Sequence, residues 1–207
     1  MVVFLERKGK TVFGFWEKDK KKENQAKQEA NNRKYEQFAS DGKYEQMVND
    51  YSTDVLAGLV EYEDEPYVLS IDELQYMITI CNDVEKKGVI YYAIATCYYN
   101  GVRGAVESRK KGMEYDQKSM DAQNSEAALR YGVNLTLDVG DALKEGTMDE
   151  GQAKIEHAYG VGCVVKSYRQ GCERARDVLE LFMDGRDEFY GARSVEELVR
   201  KWPDSFR

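Results

Sequence analysis

The octapeptide IATCYYNG, Ile94 to Gly101, decides how this chain folds, because its pattern recurs as YGVNLTLD, Tyr131 to Asp138, and as VLELFMDG, Val178 to Gly185. Each copy opens on a large apolar residue, usually follows it with a small one, and places an apolar residue four positions after the first. A turn former stands seven positions after the first: Gly101, Asp138 and Gly185. Ile94 and Tyr131 are 37 residues apart, and Tyr131 and Val178 are 47 apart, a period of about 40 residues with an insertion in the later unit. Periods of that length belong to stacked helix pairs, in which no helix can bury its apolar face alone and neighbours make one continuous core.

Upstream of the repeats the apolar spacing is also helical. Tyr35, Phe38 and Ala39 begin it, and Asp41 and Gly42 form a turn pair. Tyr44, Met47, Val48, Tyr51, Val55, Leu56 and Leu59 then follow at steps of three and four, predicting a second helix that ends at the acidic stretch Glu61 to Pro66. Ser70, three residues before Glu73, has the spacing of a capping box. The helix it opens would bury Leu74, Met77, Ile78, Cys81 and Val84 and close at Gly88. Ser194 and Glu197 repeat the box before a last helix, whose Val195, Leu198, Val199 and Trp202 would cover the end of the array before Pro203 stops it. Three segments result: an arm and polar capping helix over 1–34, a helical repeat domain over 35–190 and a capping helix over 191–207. Within the arm, two apolar clusters around RKGK would suit a short hairpin turning at Gly9, and the Lys- and Glu-rich run from Glu17 to Lys34 would suit a solvated helix.

KGMEYDQKSMDAQNSEAALRYG, Lys111 to Gly132, resembles the second helix of a Sel-one-like repeat running into the first helix of the next. That family is related to the tetratricopeptide repeat, and the resemblance implies an all-α, right-handed α-solenoid of helix pairs. It also implies that Gly112, Ser119, Ala127, Ala128 and Gly132 pack helix against helix, with Tyr115 as the bulky residue between them. Gly112 stands where the family prefers alanine, at a cost of about 1 kcal/mol in helix propensity, and Leu179 stands where a glycine is usual. Family members include bacterial proteins that neutralise a toxin or act as signalling adaptors, and a cysteine-rich secreted branch in which disulfides tie neighbouring helices.

Composition narrows the function. The 207 residues are 42% apolar and 33% charged, and 38 acidic against 30 basic residues leave a net charge of -8. That balance disfavours nucleic acid and favours a basic or neutral protein partner. No apolar run approaches the roughly 20 residues of a membrane span, and VVFL is too short for a secretory signal, which points to the cytoplasm. Cys81, Cys97, Cys163 and Cys172 form no CxxC pair and no zinc-like cluster. The interval from Cys163 to Cys172 would suit a bridge from one helix end to the next helix start in an oxidising compartment such as the periplasm or the cell exterior. Otherwise both are core thiols.

Chemistry is sparse. His157 is the only histidine, which leaves no histidine pair for a metal or a nucleophile. Ser108 and Lys111 have the SxxK spacing of penicillin-recognising enzymes without the accompanying SDN and KTG motifs. They read as a helix start, with a small-ligand binder or weak β-lactam-recognising hydrolase as the alternative reading. GVGCVVK, Gly160 to Lys166, fits no nucleotide-binding frame and reads as close helix packing, and the sequon at Asn134 falls inside a predicted helix. No cofactor is implied. Fifteen tyrosines remain as recognition chemistry, since tyrosine and arginine combine contact area with directional hydrogen bonds. Tyr91, Tyr92, Tyr98 and Tyr99 cannot all face inward on one helix. With Tyr98 in the core slot of the repeat, Tyr92, Tyr99, Arg103 and Arg130 are the expected partner-binding residues. Tyr62 and Tyr67 beside the acidic stretch are a second set. The expectation is a non-catalytic protein-protein interaction module.

Overall fold

The computed structural model describes residues 43–50, 52, 53, 56, 57 and 69–203. Eight helices occur among them: α1 (Lys43–Asp50), α2 (Ile71–Ile80), α3 (Val84–Asn100), α4 (Arg109–Asp121), α5 (Ser125–Lys144), α6 (Glu150–Arg169), α7 (Glu173–Met183) and α8 (Val195–Lys201). No strand accompanies them among the described residues; an isolated bridge between Phe189 and Ala192 pinches the α7–α8 connection. Each helix packs chiefly on its neighbours in the chain, most extensively α3 on α4 and α5 on α6. The expected arm over 1–34, the helix from Tyr35 and the acidic stretch with Tyr62 and Tyr67 lie outside the described residues.

Short polar side chains start six of the helices, α2 to α6 and α8. Ser70 and Glu73 form the complete reciprocal box at α2, and the side chains of Asp83, Ser108, Asn124 and Asp149 accept first-turn N–H groups at α3 to α6. At α8 only half of the expected box forms: Ser194 accepts from Glu197 N, while the Glu197 carboxylate accepts from Arg193 N, one residue before the cap.

Two expected boundaries are corrected. Gly88 does not close a helix, because α2 already ends at Ile80 and Val84 begins α3; Gly88 lies inside α3, where a Cβ would stand 2.9 Å from the Ala122 carbonyl oxygen. Ser119 Oγ donates to the Gly88 carbonyl at 2.6 Å, so the glycine marks a close approach of two chain segments. Asp138 does not turn the chain either. Its carboxylate pairs with Arg109 at 2.6 Å, and α5 continues to Lys144, with Gly146 at φ +69° just beyond.

The core runs along the array. Tyr44, Met47, Leu74, Met77, Ile90, Ile94 and Tyr98 fill the α1–α3 end; Met120, Ala127, Ala128 and Cys163 form a narrow middle; Val161, Val164, Leu179, Leu198 and Trp202 fill the other end. The small residues of the middle bring α5 and α6 close together: a Cβ on Gly132 would lie 2.5 Å from the Gly160 carbonyl oxygen, and one on Gly160 would lie 2.7 Å from Thr136 Cγ2. The buried Lys86 ties α1 to α3, donating from Nζ to the carbonyls of Val48 at 2.8 Å and Asn49 at 3.4 Å. At the far end Arg169 donates to the carbonyls of Val199 and Trp202 and so closes the last turn of α8.

Candidate functional site

Three of the expected recognition residues meet where α3, α4 and α5 converge. Tyr92, Thr96 and Tyr99 share one face of α3 at steps of four and three, Asp116 stands one turn after Gly112 on α4, and Asn134 stands one turn after Arg130 on α5. The centre is an ion pair. Asp116 is fully buried, and Arg130 reaches it from Nη2 at 2.6 Å and from Nε at 2.9 and 3.1 Å. That forked geometry is the strong, charge-assisted form of the contact. Arg130 also donates to Thr96 Oγ1 at 2.8 Å and to the Tyr92 carbonyl at 3.1 Å, with its guanidinium 3.9 Å from the Tyr92 ring centroid and 5.0 Å from that of Tyr99. The Tyr99 hydroxyl donates to Asp116 at 2.9 Å and accepts from Asn134 Nδ2 at 3.1 Å.

The electrostatics follow from burial and pairing. Burial pushes the Asp116 carboxyl up from its ordinary value, while Arg130 and the Tyr99 hydroxyl pull it back down. Burial also works against the charge of Arg130, but its hydrogen bonds to Asp116 more than offset this and hold the guanidinium above its ordinary value. Burial, then the neighbouring carboxylate, raises the Tyr99 phenol well above its ordinary range. Gly112 completes the arrangement: a Cβ there would lie 2.7 Å from the Tyr99 ring, so alanine at this position would displace that ring.

Tyr92, Tyr99 and Arg130 are therefore brought together and turned toward one another, half covered, with their polar groups fixing three helices in register. Sequence reasoning misses Asp116 and Thr96, and meets Asn134 only as a sequon inside a predicted helix. A carboxylate between Gly112 and Ser119 on the packing side of a helix is the one signal that asks for a buried cation. Arg103 lies in the α3–α4 connection at φ +55°, where its carbonyl accepts from Ile71 N at the start of α2. Tyr98 occupies the core slot, with its ring stacked on Tyr115 at 5.5 Å.

Beyond this network α5 presents an open side. Arg109 spans to Asp138 and to the Asn134 carbonyl, and Leu137 is 57% exposed beside them. Ser108 Oγ accepts from Lys111 N at 3.3 Å as the α4 cap, and Lys111 Nζ lies 4.9 Å from the centroid of the Tyr98 ring. An open cleft of about 370 Å³ separates the end of α7 from the start of α8; Arg176 crosses it to Glu196 at 2.9 Å and pairs with Glu180 on its own helix at 2.9 Å.

Of the two readings of Cys163 and Cys172, the structure has both as free, buried thiols. Cys163 sits well inside α6 against Gly132 and the middle cluster, not at the helix end. The backbone N of Cys172 bonds the Ser167 carbonyl, one helical turn of about 5.4 Å beyond Cys163, and its Sγ donates to Glu126 at 3.3 Å. All four cysteines are buried thiols, and burial raises that of Cys163 to about 11. Among the described residues no group of three or more His, Cys, Asp or Glu could hold a metal ion, and no helix is long and apolar enough to cross a membrane. Comparison with protein-family models, curated proteins and solved structures finds no match to this chain.

Proposed function

We propose that the chain is a non-catalytic protein-interaction module, a right-handed solenoid of Sel-one-like, tetratricopeptide-related helix pairs that binds a partner polypeptide on its repeat surface. Its role would be that of an adaptor, a scaffold or a toxin-neutralising immunity protein. The observation that carries this reading is the open side of α5. Asn134, Leu137, Asp138 and Asp141 recur there at steps of three, one and three, which sets them on one face, and Leu137 stands exposed among carboxylates. An exposed apolar anchor flanked by Asp138 and Asp141, whose surface pairs with Arg109 and Lys144 are open to exchange, on a helix held from behind suits a segment carrying one apolar side chain beside a basic one. The net charge of -8 works in the same direction over longer range at low salt.

The test is affinity capture from the source cell at moderate salt, with the tagged full chain and with a Leu137→Arg, Asp141→Lys double variant. Both positions are exposed, so the variant keeps the helical circular dichroism of the parent. One stoichiometric protein held by the parent and lost by the variant is the expected result. Equal capture by both chains, or no protein held by the parent, would overturn the proposal.

A further inference from the structure

The sole histidine is built into the C-terminal end of the array. His157, on α6, is half-buried, with its Nδ1 2.8 Å from the Tyr190 hydroxyl and its ring stacked on that of Tyr190 at 6.0 Å. Phe182 of α7 lies 6.4 Å away and Phe189 6.3 Å away, and Tyr190 in turn meets the ring of Trp202 edge-on at 5.1 Å. Tyr190 adopts φ +49°, a conformation that a bulky residue holds only where its surroundings insist on it. The contact with His157 is therefore one of the ties that hold the α7–α8 connection, and through Trp202 the end of α8, against α6.

We propose that His157 is a pH-sensitive latch: neutral, it adds to the ties that hold residues 186–203 against α6, and protonated, it loosens them. In the Nε2–H tautomer Nδ1 accepts a hydrogen bond from the Tyr190 hydroxyl, and the uncharged ring packs among aromatic neighbours. Protonation places a cation in that half-buried setting. From the α7–α8 connection the facing groups are the Tyr190 hydroxyl and the Arg186 guanidinium, which already lies 4.8 Å from the Phe189 ring centroid and so occupies the aromatic surface that would stabilise a second cation. α7 contributes the uncharged Phe182. The α5 carboxylates Asp138 and Asp141 are engaged by Arg109 and Lys144, and Glu156 on α6 accepts from Gln152. Burial first, and Arg186 second, hold the imidazole below its ordinary value of 6.5. With the folded value below the unfolded one, the tie is intact above about pH 6.5 and weakens as the pH falls toward the folded value.

Two measurements on the full chain test this. The imidazole of the only histidine gives one NMR titration, whose midpoint is expected below 6.5. Hydrogen exchange of residues 186–203, corrected for the intrinsic pH dependence, is expected to show more opening at about pH 5.5 than at about pH 7.5. The opening increases by up to about tenfold for each unit of midpoint depression, while amides 153–168 stay unchanged. His157→Phe keeps a ring without a titratable nitrogen and is expected to abolish the pH response. The same response in His157→Phe, an unshifted midpoint, or a wild-type segment with equal opening at both pH values would overturn the proposal. If His157→Phe does not fold, the two wild-type measurements decide alone.

Discussion

Alanine at Gly132 and alanine at Gly140 are the same chemical change on the same helix, and the structure gives them opposite signs. Each replacement gains about 1 kcal/mol of helix propensity. At Gly140 nothing lies within 4 Å of the new Cβ, so that gain stands. At Gly132 the Cβ would come 2.5 Å from the Gly160 carbonyl oxygen and 2.9 Å from Val164 Cγ2, well inside the 3.0 Å that real Cβ contacts respect. The obstructing atom belongs to the backbone of α6, so α5 and α6 must separate along their most extensive contact. Overpacking of that kind costs about 1–3 kcal/mol and sometimes more. Because backbone cannot rotate away, the upper part of that range applies, leaving Gly132→Ala about 1–2 kcal/mol below the parent after the propensity gain. The two variants should then differ by about 2–3 kcal/mol, or roughly 4–12 °C in Tm for a domain of this size. Thermal unfolding followed by circular dichroism at 222 nm reads the difference directly. A Gly132→Ala chain as stable as Gly140→Ala would refute the claim that the glycine is there to let two helix backbones touch.

Three further outcomes follow from named contacts. Asp116→Asn leaves Arg130 without its carboxylate and should cost about 2–4 kcal/mol in urea unfolding, somewhat below the about 3–5 of a fully enclosed pair because Arg130 stays 23% exposed; a loss under about 1 kcal/mol would mean that the network is not holding the three helices. Lys86→Met removes the ammonium from the Val48 and Asn49 carbonyls, and the loss of about 1.5–3 kcal/mol should appear as faster amide exchange in 43–50 while α5 and α6 keep their protection. A thiol reagent at about pH 7.5 should find none of the four cysteines reactive until the chain unfolds, since all are buried and the Cys163 thiol is raised to about 11; rapid labelling at Cys163 in the folded chain would contradict this.

The features legible in the sequence were those governed by neighbours in the sequence. The Ser70 and Glu73 box and the serine before α4 read out from a spacing of three, which a helix start turns into a cap, while the small residues Ser119, Ala127, Ala128 and Gly132, all buried, were expected from the resemblance to a repeat pattern rather than from spacing. Gly88 and Asp138 misled for one reason. Glycine and aspartate are turn formers by local preference, and here tertiary contacts override it: the Ala122 carbonyl needs the room at Gly88, and Arg109, 29 residues away, holds Asp138 within a continuing helix. Asp116 was illegible because its partner lies 14 residues on, in another helix. No periodicity links a buried acid to the cation that neutralises it.

Tyr92, Tyr99 and Arg130 carry a warning for any search for the binding surface. Tyrosine and arginine are the residues that anchor interfaces, and these three cluster as an interface patch would. Their hydrogen bonds nonetheless run to Asp116, Thr96, Asn134 and one another. Truncating Tyr99 strips a donor from a buried carboxylate and removes one of the two rings flanking Arg130, so a lost partner would report a loosened α3–α4–α5 unit rather than a lost contact. The network is better understood as the support beneath a surface. It fixes the axis of α5, and a partner that binds Leu137 and the carboxylates around it then pays little to order that helix. Substitutions at Arg130 or Tyr99 should lower stability and binding together, whereas Leu137→Arg should lower binding alone, and only the second pattern locates an interface.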